Sequence, residues 1–260
     1  VDNNKAAFEW GRQAAHDPAR ITQALEAAGG VQIISFKKRA TLDELVQRRV
    51  EFLTDYQSAR YAKRYRSFVE RVQQAESALG KTSLSEAVAH GLFKLMAYKD
   101  EYEVARLHSD PAFLARIEDM FEGDYTLNYH LAPPMTAKRN EKGELVKKKY
   151  GPSMLRNFRI LARLKGLRGT PLDPFGRTEE RRTERALIGE YRHCIEELMQ
   201  GLDAERHGLA VEIARIPERI KGYGHIKERN LEAARERWEL LMKQFRQPPS
   251  ATPSAEESVP

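Results

Sequence analysis

The sequence predicts a mainly α fold: a multi-helix domain built on a long antiparallel helical hairpin, with one small β-hairpin. Three observations carry this. Apolar residues recur at spacings of three and four from Leu42 to Val72 and again from Leu84 to Leu95. Capping-box strings, Thr41-Leu-Asp-Glu44 and Ser83-Leu-Ser-Glu86, stand where those two runs begin. A single stretch, Tyr125-Thr-Leu-Asn-Tyr-His-Leu131, alternates at period two instead.

Taken in order, residues 5–15 read as a helix with Ala7, Phe8 and Gly11 on one side. Asp17-Pro18 restarts a helix as N-cap and first-turn proline, and Gly29-Gly30 ends it. Residues 31–36 lean towards β or an extended connector, which places a boundary near residues 30–40. The next helical pattern runs to about residue 77 through Leu45, Val46, Leu53, Tyr61, Tyr65, Phe68 and Val69. Unbroken, it would be about 55 Å long, more than most globular domains use. Gly80-Lys-Thr82 turns the chain into a second long helix that ends before Asp110-Pro111, so the two form the hairpin.

Residues 92–107 of that second helix are the most informative stretch. Leu84, Val88, Leu92 and Leu95 share one face, and Lys99, Tyr102, Glu103 and Arg106 extend it. Lys99 and Glu103 are four apart and Glu103 and Arg106 three apart, so both contacts are within reach on a helix. A core face that turns ionic is either an internal network or a polar seam. The seam would dock a domain or an anionic ligand through Lys99 and Arg106, with Tyr98 and Tyr102 as supports. The expectation is that Lys99, Glu103 and Arg106 are more than half buried and paired with one another or with backbone.

Past residue 121, the alternating segment pairs with an extended run at 145–150 across a turn at Asn140-Glu-Lys-Gly143. A cationic amphipathic helix follows at 154–164, then an irregular loop at 166–176 with three glycines and two prolines. Helices at 178–199 and 203–215, a turn at Pro217 and a last helix with Leu231, Ala234, Trp238, Leu241 and Phe245 complete the domain. Residues 247–260 hold four prolines and read as a disordered tail.

Composition narrows the function classes. The 260 residues are 32% charged, mean hydropathy is −0.65, and no apolar run approaches the roughly 20 residues that cross a bilayer. The single cysteine, Cys194, rules out an intrachain disulfide and any cluster or zinc knuckle held by this segment alone. It falls at helical spacing with Leu187, Tyr191, Ile195 and Leu198, as a packed core thiol would. Low cysteine content fits the cytoplasm. The net charge of +6 is regional: residues 138–168 hold eleven cations against Glu141 and Glu144, so the rest of the chain sums to −3. Lys147, Lys148 and Lys149 are its densest run and the candidate docking point for an anionic partner. Tyr125, Tyr129, Tyr150 and Phe158 interleave with these cations, so a basic nucleic-acid-binding helical module is the alternative. The aromatic spacing matches no RNA-binding signature. No phosphate-binding glycine loop, dinucleotide fingerprint or paired-histidine zinc spacing occurs, and no catalytic, cofactor-binding or metal-ligating residue is assigned.

Four strings in fixed order carry a resemblance: Phe93-Lys-Leu-Met-Ala-Tyr-Lys-Asp-Glu-Tyr-Glu-Val-Ala-Arg-Leu107, Phe121-Glu-Gly-Asp-Tyr-Thr-Leu-Asn-Tyr-His-Leu-Ala-Pro-Pro134, Leu164-Lys-Gly-Leu-Arg-Gly-Thr-Pro-Leu-Asp-Pro-Phe-Gly-Arg-Thr178 and Gly222-Tyr-Gly-His-Ile-Lys-Glu-Arg229. They resemble the C-terminal region of the long, fused indolepyruvate ferredoxin oxidoreductases, over about residues 40–245. Residues 1–30 then look like the end of the preceding gamma-type oxidoreductase domain, residues 40–246 like the α-helical C-terminal domain. The resemblance implies an enzyme, homo-oligomeric as a whole, that oxidatively decarboxylates aryl 2-oxoacids to acyl-CoA and passes electrons to ferredoxin. It implies thiamine diphosphate, Mg and 4Fe-4S clusters for the full chain, held upstream, with none bound by this segment. It implies packing against the upstream catalytic domains and leaves ferredoxin and coenzyme A as partners for the basic region.

Overall fold

The computed structural model describes residues 2–19, 40–132, 146–222 and 225–247. The chain divides into two units, residues 1–41 and 42–260. Of the first, α1 (Asp2–His16) is described, with Arg12 and Glu9 paired at 2.6 Å on its exposed side. Pro18 and Ala19 are again helical, as the Asp17-Pro18 start requires. The glycine stop at 29–30, the β-leaning run at 31–36, the turn at 140–143 and residues 248–260 of the expected tail lie outside the described residues.

The second unit is mainly α, as the periodicity predicts, but each of the two long helices expected in its hairpin is broken, so that four helices stand in their place. The pattern through residue 77 divides into α2 (Leu42–Tyr56) and α3 (Ala59–Ser77). Ser58 takes an extended backbone at the junction, and its hydroxyl accepts from the Tyr61 N–H at 3.2 Å. That cap ends one helix and starts another with no glycine or proline involved. The apolar spacing continues across the junction because α2 and α3 fold against each other and both bury it.

The next helix, α4 (Ser83–Met96), stops four residues before the chain re-enters helix as α5 (Glu101–His108). The N-terminus of α4 is served from the neighbouring helix. Glu76 of α3, fully buried, accepts from the Leu84 and Ser85 N–H groups, each at 2.8 Å, and from the Ser85 hydroxyl at 2.6 Å. His207 Nε2 lies 2.7 Å from the same carboxylate. Burial alone would raise the Glu76 pKa, but these bonds outweigh it and hold the carboxyl below its ordinary value.

A short α6 (Pro111–Glu118) follows, capped by Asp110 with its proline in the first turn. The small hairpin forms as predicted. Strand β1 (Tyr129–Leu131) pairs antiparallel with β2 (Lys148–Tyr150), in the register Tyr129↔Tyr150, His130↔Lys149 and Leu131↔Lys148. The cationic helix α7 (Met154–Arg163) runs into a 3-10 turn at Leu164–Leu167. Thr178 caps α8 (Glu179–Gln200), and α9 (His207–Ala214), a 3-10 turn at Ile216–Arg219 and α10 (His225–Phe245) close the domain.

The core lies among α2, α3, α4, α8, α9 and α10, around Leu53, Phe68, Leu92, Tyr191, Ile213 and Trp238. Cys194 is the packed thiol expected: it receives the Trp238 indole N–H at 2.8 Å, and burial pushes its pKa up to about 12. At Gly91 the helices meet closely, since a Cβ there would stand 2.6 Å from the Tyr191 hydroxyl and 2.9 Å from the Ala214 carbonyl. A second, smaller cluster joins α5, α7 and the hairpin through Ala105, Tyr129 and Phe158.

Candidate functional site

The break between α4 and α5 is where the informative stretch resolves. Asp100 sits at the N-cap of α5 and accepts from the Glu103 N–H at 2.9 Å. The same carboxylate receives two bonds from Arg168, Nε at 2.5 Å and Nη2 at 2.9 Å, and both side chains are nearly inaccessible to solvent. Arg168 arrives from the 3-10 turn after α7, and Gly169, at φ +74, turns the chain away immediately behind it. The third nitrogen, Nη1, donates to the Tyr56 carbonyl at the end of α2, and the guanidinium lies 3.6 Å from the Tyr56 ring centroid. One arginine thereby ties the end of α2 to the start of α5. Burial opposes its charge, yet Asp100, together with Tyr56 and Tyr98, more than compensates, so its pKa is raised.

Beside it, Asp173 organises the 166–176 loop. It accepts from the Gly169 N–H at 2.8 Å, the Phe175 N–H at 3.1 Å and the Tyr102 hydroxyl at 3.1 Å. Gly176 leaves room for this carboxylate, since a Cβ there would come within 2.5 Å of Asp173 Oδ2. Burial and then Asp173 push the Tyr102 phenol well above its ordinary value, keeping it a hydrogen-bond donor. Two more phenols close the end of α4: Tyr56 donates to the Tyr98 carbonyl at 2.8 Å and Tyr61 to the Met96 carbonyl at 3.0 Å.

A second ionic arm continues along α8. Arg181 pairs with Glu184 at 2.6 Å and with Glu101 at 3.3 Å, and Lys227 of α10 closes on Glu184. Although burial works against it, Glu184 and Glu101 raise the Arg181 pKa. The seam therefore draws on three of the four strings singled out in the sequence. Asp100, Glu101 and Tyr102 come from the first, Arg168, Asp173 and Phe175 from the third, and Lys227 from the fourth. The second string supplies Tyr129, whose ring packs edge-on against Phe158 and His108 at the far end of α5.

Of the residues the sequence singled out, Glu103 and Arg106 are paired as predicted, at 2.7 and 2.8 Å, with Arg106 over the Phe52 ring. Glu103 and Tyr102 are buried and Arg106 is mostly so. Lys99 is the correction. It is exposed and does not meet Glu103, because it precedes the Asp100 cap and the i,i+4 geometry never forms. Lys147, Lys148 and Lys149 are exposed on and beside β2. Two cations of the basic region are not available to a partner: Arg168 is buried in the seam, and Lys165 donates to the Thr54 and Asp55 carbonyls at the end of α2.

The residues that sequence reasoning missed are Asp100, Arg168, Asp173, Arg181 and Glu184. Asp100 had a signal, since Asp100-Glu-Tyr-Glu103 has N-cap spacing; the long-range partners had none. At the solvent edge of the seam, a cleft of about 340 Å³ is lined by Lys94, Tyr98, Lys99, Glu184, Lys221 and Lys227. Burial and then neighbouring Lys221 lower the Lys94 pKa, and its ammonium donates to the Glu218 carbonyl at 3.0 Å.

The arrangement binds charge to charge. Among the described residues, no three His, Cys, Asp or Glu side chains are placed to hold a metal ion. The one thiol is sealed between Trp238 and Met242. These residues do not fit a 4Fe-4S cluster or the metal of a thiamine diphosphate site. No helix among the described residues is long and apolar enough to cross a membrane. A family described as of unknown function, DUF6537, matches residues 42–240. No similar curated protein and no similar solved structure was found.

Proposed function

The chain belongs to the family DUF6537, of unknown function, and we propose that this domain is the non-catalytic C-terminal accessory domain of an indolepyruvate ferredoxin oxidoreductase. In that reading the longer polypeptide oxidatively decarboxylates aryl 2-oxoacids to acyl-CoA in the cytoplasm. Thiamine diphosphate, Mg and 4Fe-4S clusters are held upstream. Residues 40–246 brace the catalytic modules, and the basic hairpin docks an anionic group, either acidic ferredoxin or the phosphates of coenzyme A.

The observation that supports this is the fate of the resemblance-bearing strings. Two of their carboxylates are spent inside the domain, Asp100 on Arg168 of the third string and Glu101 on Arg181 of α8, so they specify a shape. The run Lys147, Lys148 and Lys149, by contrast, is exposed. The nucleic-acid alternative draws less support. Tyr129 and Phe158 are buried, and the His108 ring stacks on Phe158 at 5.1 Å, so neither offers a face to a base.

The test is charge reversal of Lys147, Lys148 and Lys149 to Glu in the full enzyme. KM for ferredoxin or for coenzyme A is expected to rise and its salt dependence to flatten, with kcat unchanged. Unchanged KM for both would refute docking. The polypeptide preceding Val1 tests the enzyme assignment separately: cluster-spaced cysteines and a thiamine-binding pattern are expected there, and their absence would refute it.

A further inference from the structure

The outer face of α3 carries a second cationic feature, hidden in the sequence by the larger excess at 138–168. Arg60, Lys63, Arg64, Ser67 and Arg71 fall within an arc of about 100° on this helix, in a row about 16 Å long. Arg192 of α8 faces the row and closes a groove of about 370 Å³. The lining is five cations, Ser67 and Phe68, with no acid. Phe68 forms the floor, and the Arg71 and Arg192 guanidinium groups each lie 5.1 Å from its ring centroid, which fixes both. Glu196 pairs with Arg71 at 2.5 Å from the rim. Glu70, the other acid of α3 besides buried Glu76, does not line the groove.

Internal stability gives no account of Arg60, Lys63 and Arg64. Arg60 and Arg64 are like charges four apart on one helix, an arrangement that disfavours the helix. Neither they nor Lys63 form an ion pair with another described residue, and Arg192 Nε is buried with no hydrogen-bond partner. The row advances about one cation per turn. Carboxylates at i, i+4 and i+7 of a second helix advance at the same pitch. The aromatic floor is covered by its two arginines, so no base could stack on it. The cations line a groove between helices, not a ridge that could enter a duplex.

We infer that the groove between α3 and α8 docks an acidic α-helical segment of a partner protein, its carboxylates meeting Arg60, Lys63, Arg64 and Arg192. This stands on the groove alone and holds whatever enzyme carries the domain.

The probes are a labelled helical peptide with glutamates at i, i+4, i+7 and i+11, its glutamine counterpart, and labelled single-stranded DNA. Each is titrated by fluorescence anisotropy against the 260-residue protein. The glutamate peptide is expected to bind, more weakly as salt rises, and the glutamine peptide not to bind. Arg60→Glu/Arg64→Glu should weaken binding about tenfold or more. Lys147→Glu/Lys148→Glu/Lys149→Glu should leave it unchanged. Both groove residues are exposed, so circular dichroism should show a native helix signal; Arg60→Gln/Arg64→Gln replaces the double variant if it does not. Equal binding by the groove variant and wild type would overturn the proposal. So would loss of binding in the hairpin variant alone, or DNA binding tighter than the peptide's that the groove variant abolishes.

Discussion

Arg168→Met should be among the most damaging single substitutions in this domain. The guanidinium and the Asp100 carboxylate are 2% and 3% exposed. Its removal leaves Asp100 buried with the Glu103 N–H and no cation, and leaves the Tyr56 carbonyl unmet. Breaking a buried pair from one side costs about 3–5 kcal/mol, because the surviving charge keeps its desolvation penalty. For a domain of this size each kcal/mol lowers Tm by about 2–4 °C, so the expected drop is about 6–20 °C. Asp100→Asn keeps an oxygen for the cap and loses the charge, and should cost a similar amount. The double variant should cost clearly less than the two singles together, since no lone charge remains. Urea unfolding of the four proteins at pH 7, followed by far-UV circular dichroism, measures all three numbers. A cost for Arg168→Met below about 1 kcal/mol, as for an exposed pair, would refute the reasoning. Additive singles would refute it equally.

Two glycines should respond with opposite sign. Gly91→Ala drives a methyl against the Tyr191 hydroxyl and the Ala214 carbonyl and should destabilise by about 1–3 kcal/mol, while Gly189→Ala, in open space on α8, should stabilise by about 0.5–1 kcal/mol. Equal shifts in Tm would contradict the packing described at Gly91. Glu76 has a folded pKa below its ordinary 4.5, so the stability it contributes is present above that value and is lost as pH falls through the lower folded one. Glu76→Gln should cost about 1.5–3 kcal/mol near neutrality and lack that part of the acid decline. Parallel stability profiles of variant and wild type between pH 3 and about 6 would show that Glu76 does not contribute in this way.

Periodicity alone located the helices and the hairpin, because burial imposes it directly on side-chain spacing. Leu231, Ala234, Trp238, Leu241 and Phe245 read as one face of the last helix and all are buried. Helix breaks were harder to read. At Gln57-Ser58 the apolar spacing runs on through a sharp reversal, and a serine cap is a weak mark beside the stronger pattern. At residues 97–100 the helical spacing carries Lys99 onto one continuous face with Tyr102, Glu103 and Arg106, although Asp100 is spaced from Glu103 as a cap. The pair three apart, Glu103 and Arg106, survived because it lies wholly within α5. Arg168 and Asp100 are 68 positions apart, and no local spacing encodes their meeting. The α3 groove escaped for a related reason: four of its cations share a helix face, but the fifth comes from α8.

α5 has only eight residues, yet its two ends belong to different bodies. Asp100 and Tyr102 anchor its start in the ionic seam, while Ala105 and His108 anchor its end among Tyr129, Phe158 and the hairpin. The hairpin cluster has few buried residues of its own, so it should exchange its amide protons at a lower opening energy than the main core. Mechanically, α5 is a short strut. A partner that grips Lys148 or Lys149 pulls on β2, and through Tyr129 and Phe158 the load passes along α5 to Arg168 and the end of α2.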